Sequence, residues 1–316
     1  MAFDRAFRDE YLEKALSALA DDGDPTPALD LIAGTDDADR REHAVAVLGP
    51  GGVARIEQLR ELATRQAYRP ERWLLLGAAL SAAAWAVRED NHATPVVTER
   101  LVQQQQALVA EARTALRQAA ALSRDDPVPW SELTGAVICA PQHRTEPADV
   151  FKRARVLAPD LYAAHTRHLT GLTRRWYGSQ DKVFAFARTR TADRPAGHPL
   201  HALIALAHIE GYVAGLLRGT VVGRFWRAWR YFADSKVRRE TDTAADLLLS
   251  GHDEYATHPW TMTAHQAFAA LYHQAGDTGR ARTHLELSGE HAATWPWRYF
   301  GDPGDQFATA RTAAGL

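Results

Sequence analysis

Apolar residues recur along most of this chain at three- and four-residue spacing, and the strict alternation of a half-buried strand is nearly absent. Between the breaks the filling residues are Ala, Leu, Arg, Gln and Glu, all of which lose little on entering a helix. The pattern predicts helices over 3–19, 27–32, 53–66, 70–87 and 95–122, and one from Asp36 or Asp37 to Leu48. Asp21-Asp22-Gly23-Asp24-Pro25 stops the first of these, Gly34 the second, and Gly49-Pro50-Gly51-Gly52 predicts a break after Leu48.

Beyond this point the pattern becomes periodic. Pro127, Pro159 and Pro195 each follow a predicted helix, 32 and 36 residues apart, which brackets the tetratricopeptide period of about 34. In the first interval Gly135, Phe151, Ala154 and Pro159 fall on the small, large, small and terminal-proline positions of that repeat. Ala269, Tyr272, Gly276, Ala281 and Leu285 follow the same logic near the C-terminus, with Gln274-Ala275-Gly276-Asp277 as the turn. Helix pairs are therefore expected over 128–157, 161–191 and 259–287. A pair covers only one of its faces alone, so it must stack on its neighbours. The expected fold is all-α, a tetratricopeptide-like α-α superhelix of stacked antiparallel helix pairs. Residues 1–68 form an N-terminal helical segment packed on the repeats, and 69–316 form the repeat domain. Trp130, Phe151, Trp176, Phe186, Tyr272 and Leu285 are the expected buried knobs.

Several segments resemble a family of uncharacterised bacterial tetratricopeptide-like helical-repeat proteins. They are Trp176-Tyr177-Gly178-Ser179, Phe186-Ala187-Arg188, Asp126-Pro127-Val128-Pro129-Trp130, the helix from Leu200 to Glu210, and Trp295-Pro296-Trp297-Arg298-Tyr299-Phe300-Gly301. The similarity runs from about Arg69 to Arg311 and departs between Gly211 and Tyr231, where arginine and tryptophan accumulate. It implies helical packing and carries no activity with it.

Composition narrows the function classes. With 316 residues, 46% hydrophobic and 24% charged, the chain has ample material for a core. A net charge of -2 supplies no overall field to attract nucleic acid or an anionic membrane, so neither is expected as a partner. Cys139 is the single cysteine and has no internal disulfide partner, which fits a reducing compartment. The first nineteen residues lack the pattern of a secretory leader, and the longest apolar run, 73–87, is shorter than the roughly 20 residues of a membrane span. A cytoplasmic location is expected.

Candidate chemistry is sparse. Asp36-Asp37-Ala38-Asp39-Arg40 has three carboxylates within one turn, but its place at a helix start favours capping. His165 and His168 share a helix face, and His201 and His208 lie two turns apart with Glu210 nearby. Without a His-Glu-x-x-His run or a cysteine among them, no metal is expected, and no cofactor. Ser179 reads as a helix cap and Cys139 as a small buried hydrophobe. Over 222–232 the apolar residues Val222, Phe225, Trp226, Trp229 and Phe232 form one helical stripe with Arg224, Arg227 and Arg230 on another face, which reads as an amphipathic packing helix, with binding of an acidic peptide or of nucleic acid as the alternatives.

Two function classes follow. The first is a module that binds a protein or peptide in a groove, with His165, Trp176, Arg188, His201, His208 and Glu210 as candidate contacts. The second is an enzyme acting on a small molecule in a helical cavity, with His165, His208 and Glu210 as acid-base groups and Trp176 or Trp226 as walls. In either, Arg188 and Glu210 are candidates to pair or to hold a ligand's charge.

Overall fold

In the computed structural model, which describes residues 9–89, 98–176, 178–216 and 230–316, all regular structure among the described residues is helical. The described residues divide into two compact units, the first ending at Gly171 and the second beginning at Leu172. The boundary expected at residue 69 lies inside the first unit, where helices on both sides of it pack together. The pair expected over 161–191 is divided between the units, Tyr162–Gly171 in the first and Gln180–Thr191 in the second.

The first unit contains α1 (Glu10–Ser17), α2 (Thr26–Gly34), α3 (Ala38–Gly51), α4 (Ile56–Arg65), α5 (Pro70–Glu89), α6 (Glu99–Leu122), α7 (Val128–Cys139), α8 (Glu146–Leu157) and α9 (Tyr162–Gly171). Local signals set several starts. Asp9 caps α1 through its carboxylate, and Asp37 caps α3 by accepting from Arg40 N at 2.8 Å, so the aspartate cluster serves a helix end. The break expected after Leu48 is absent, because α3 runs on through Pro50 to Gly51. Pro50 has no N–H to give the carbonyl four residues back, and the helix ends one residue after it. Gly49 is used for closeness instead: a Cβ there would lie 3.0 Å from Ala78 Cβ on α5.

Helix α5 is apolar on all sides, and Leu74, Leu75, Leu76, Ala79 and Leu80 are buried around it. Gly77 lies against Leu116 and Ala84 against Gln105, so α5 and α6 run antiparallel. Trp85 donates its indole N–H to Gly135 O at 3.2 Å and ties α5 to α7. Arg113 of α6 and Glu146 of α8 form a buried bidentate pair, at 2.8 and 3.1 Å.

The deepest polar group is Glu42 on α3, which is fully buried. Its carboxylate accepts from the backbone N–H groups of Ala163 and Ala164 at 2.8 and 3.0 Å, in the first turn of α9, and from the Ser131 hydroxyl on α7. Arg167 donates to Ser131 Oγ at 2.7 Å and to Glu132. One carboxylate thereby joins three helices and supplies negative charge at a helix N-terminus. Burial pushes its pKa up to about 7, opposed by Arg167 and the donors around it.

The second unit contains α10 (Gln180–Thr191), α11 (Ala202–Leu216), α12 (Ser235–Ser250), α13 (Thr261–Ala275), α14 (Thr278–Leu287) and α15 (Pro303–Ala313). Ser179 caps α10, accepting from Lys182 N at 3.3 Å. Helices α13 and α14 form an antiparallel pair, with Tyr272 beside Arg280 and His265 beside His284. Gln266 of α13 is fully buried and uses all its hydrogen-bonding capacity. Its Nε2 donates to Ser288 O and His291 O at 3.2 and 2.7 Å, and its Oε1 accepts from Ala293 N and the Trp297 indole at 2.7 and 2.9 Å. This single amide anchors the irregular stretch that carries the Trp-Pro-Trp sequence.

Of the six expected knobs, Phe151, Tyr272 and Leu285 are buried, whereas Trp130, Trp176 and Phe186 are half-buried. Arginines cover two of the latter, Arg153 over Trp130 and Arg190 over Phe186, at 5.0 and 5.7 Å from the ring centroids. Among the described residues no helix is long and apolar enough to cross a membrane.

Three stability predictions follow from these networks. Glu42→Ala leaves the Ser131 hydroxyl and two helix N–H groups without their acceptor in the core and should cost about 3–5 kcal/mol in urea unfolding. Because the folded pKa of Glu42 lies above its ordinary value of 4.5, its contribution is complete below pH 4.5 and declines as pH rises through about 7. The stability gap between wild type and Glu42→Gln should therefore narrow between pH 5 and pH 8. Gln266→Leu strands four polar groups at once and should cost more than about 3 kcal/mol, with altered Trp297 fluorescence.

Candidate functional site

The candidate residues are distributed over both units. His165 and His168 lie in the first unit and flank Phe151, His165 edge-on with centroids 5.1 Å apart and His168 stacked at 4.1 Å. His165 is buried and donates Nδ1–H to Leu161 O at 2.7 Å. Trp176, Arg188, His201, His208 and Glu210 all belong to the second unit. Trp176 is half-buried in the turn before α10, its backbone N–H bonded to Thr173 O at 3.1 Å. His201 is buried and donates Nε2–H to Pro195 O at 2.9 Å; burial lowers its pKa.

Arg188 and Glu210 do not pair with each other. Arg188 makes a bidentate contact with Glu240, at 2.6 and 2.8 Å, and lies over the Phe184 ring. Glu210 points elsewhere and accepts from the Tyr299 hydroxyl, and burial raises its pKa. The two side chains leave α10 and α11 toward different neighbours, which sequence spacing does not encode.

The geometry instead builds a cluster around His208. This imidazole is buried on α11, edge-on to Phe184 with centroids 4.8 Å apart. Tyr231 O–H donates to its Nδ1 at 3.0 Å, and Nε2–H donates to Glu240 Oε2 at 3.2 Å. Burial lowers the pKa of His208 against the pull of Glu240, while Arg188 holds the Glu240 carboxylate below its ordinary range. The result is a hydrogen-bonded row, Tyr231, His208, Glu240 and Arg188, with a neutral imidazole at its centre. Gly211 makes room for it, since a Cβ there would lie 2.5 Å from the Tyr231 hydroxyl and 3.1 Å from Gln180 Nε2.

Next to this row, Phe232 turns into a groove of about 680 Å³. Tyr212 of α11 and Phe232, each less than a tenth exposed, line its floor with centroids 4.9 Å apart, and α12 contributes Val237, Arg238 and Asp242. The far wall is the end of α13 and the turn Gly276–Gly279. Asp242 accepts from the Tyr272 hydroxyl at 2.9 Å, and Arg280 lies over the Tyr272 ring. One flank is thus a fixed set of charges, whereas Arg238 is exposed.

Sequence reading missed Glu240, Tyr231 and the groove residues of α12. Glu240 stands in an ordinary polar helix, and only its distance from Arg188 and His208 in space distinguishes it. Of the arginine- and aromatic-rich segment, residues 224–229, including Trp226, lie outside the described residues. Among the described residues no group of three or more His, Cys, Asp or Glu is placed to hold a metal ion. No protein-family model, curated protein or solved structure matches the chain.

If the row around His208 holds α10, α11 and α12 together, His208→Ala should cost about 2–3 kcal/mol by stranding the Tyr231 hydroxyl and a side of Glu240. Arg188 is 57% exposed, so Arg188→Ala should cost about 1 kcal/mol or less. Urea unfolding of both variants checks this order.

Proposed function

We propose that this chain is a tetratricopeptide-like helical-repeat module that holds a protein or peptide segment in the groove of its second unit. The observation that carries the reading is the groove itself, open, with Tyr212 and Phe232 as apolar surface and Arg238 and Asp242 as charged groups. Adjacent apolar and charged surfaces of this kind suit an extended chain with alternating side chains better than a small compact molecule. The antiparallel pairs α5–α6 and α13–α14, and the small and large residues in repeat register, support the tetratricopeptide-like part of the reading.

The second reading, an enzyme acting on a small molecule, draws on one feature, the Tyr231–His208–Glu240 row. Its groups are satisfied among themselves: Arg188 neutralises Glu240, and the Tyr231 hydroxyl is packed above Gly211. Such a row suits the positioning of helices better than proton transfer to an outside molecule.

The two readings separate by crosslinking. With a photoreactive residue at Arg238, binding of a segment predicts crosslinks to one short stretch of a single partner, absent when the residue stands at exposed Arg124 in the first unit. Arg238→Glu should weaken capture of that partner at least tenfold with thermal stability unchanged. Equal crosslinking from both positions, or unchanged affinity in Arg238→Glu, would remove the groove as the binding site.

A further inference from the structure

The second unit also contains a row of three imidazoles that neither the groove nor the His208 cluster uses. His265 of α13 is fully buried, and both its ring nitrogens meet another histidine. Its Nε2 lies 2.9 Å from Nδ1 of His252, and its Nδ1 lies 2.9 Å from Nδ1 of His284 on α14. His284 is 1% exposed and stacks on Phe268 and Tyr272, with centroids 5.1 and 5.8 Å away. Its Nε2 is buried without a protein partner. His252 is half-buried, in the single helical turn His252–Tyr255.

Counting protons shows what this row tolerates. Each N···N contact needs one proton, and three neutral rings carry three. With Nδ1–H of His284 donating to His265 and Nε2–H of His265 donating to His252, both contacts form, and Nε2 of His284 is a bare acceptor. A fourth proton that preserves both contacts always leaves an N–H on that same Nε2, whichever ring takes the charge. That N–H is buried and unpaired. A fifth proton sets N–H against N–H. Acid therefore opposes the row through its geometry as well as through burial of charge.

The surroundings offer no relief. Arg280 on α14 repels a proton on His284. Asp242 and Asp246 of α12 are engaged by Arg280, and Asp242 by Tyr272 as well. On the other elements packed against α13, His208 and Glu210 of α11 bond to Tyr231, Glu240 and Tyr299, and His201 bonds to Pro195 O. Asp302 caps α15, Arg311 donates to Gly289 O, and Asp305, Asp253 and Glu254 are exposed. Burial accordingly holds His284 down at about 3 and His265 lower still. Both folded values lie below the ordinary 6.5, so this stabilisation is complete above pH 6.5 and is lost as pH falls.

We propose that His252, His265 and His284 form an acid-sensitive latch, which while neutral ties the His252 turn, α13 and α14 together and on proton uptake lets these helices open. Since Leu271 and Tyr272 of α13 line the groove, opening removes one of its walls. The latch stands whether or not the groove binds a segment.

The test is amide hydrogen exchange on the full chain between pH 7.5 and pH 5, corrected for intrinsic rates. Each imidazole held neutral should raise the opening equilibrium on the order of 30-fold between pH 7.5 and 5. Protection should fall over 261–287 and persist over α5 and α6. His284→Phe, which retains the stacking on Phe268 and Tyr272, should remove about one ring's share of that loss. Protection over 261–287 that does not fall, or an undiminished acid loss in His284→Phe, overturns the proposal. Should the variant not fold, histidine NMR of the wild-type chain decides. Neutral His265 and His284 in folded molecules at pH 5 support the latch, and ordinary titration near pH 6.5 in the folded state refutes it.

Discussion

A helix packed on several sides has no solvent-facing stripe, so every polar group it carries inward must find a partner inside the protein. That constraint recurs through both units. Helix α7 is buried nearly all round yet carries Ser131 and Glu132, which Glu42 and Arg167 engage. Helix α13 is enclosed in the same way and carries His265 and Gln266. In each case the polar side chain is also the point where separate segments meet, so satisfying it fixes how those segments sit.

The three networks differ in what they do with charge. Glu42 of α3 lies against the first turn of α9 among three hydrogen-bond donors, with Arg167 nearby, and burial still raises its pKa to about 7. Gln266 performs a similar joining role without a charge, so its anchoring of the stretch after α14 carries no pH dependence of its own. The imidazole row requires neutrality. Near neutral pH the first unit thus contains a buried acid that gains from proton uptake, whereas the second contains buried bases that lose by it.

The row around His208 shows how such a network shapes a candidate site. Arg188 neutralises Glu240, Glu240 and Tyr231 fix the tautomer of His208, and Tyr231 sets the place of Phe232 at the groove. The groove's surface is therefore held in shape by polar groups behind it.

The chain's own pattern determined its helices, because 3.6-residue periodicity and capping are local properties: Asp37 and Ser179 cap where their spacing places them, and the Gly276 turn joins α13 to α14 as expected. It also marked Phe151, Tyr272 and Leu285 as core. Tertiary structure alone decided the rest. Helix α3 runs on through Pro50 and presses Gly49 against α5, and Arg188 pairs with Glu240, fifty-two residues away, instead of Glu210. The histidines at 165, 201 and 208 each find a different partner. A side chain's partner depends on which helices are neighbours and on the rotation of each about its axis, and those are set by the packing of the whole unit, which no local spacing records.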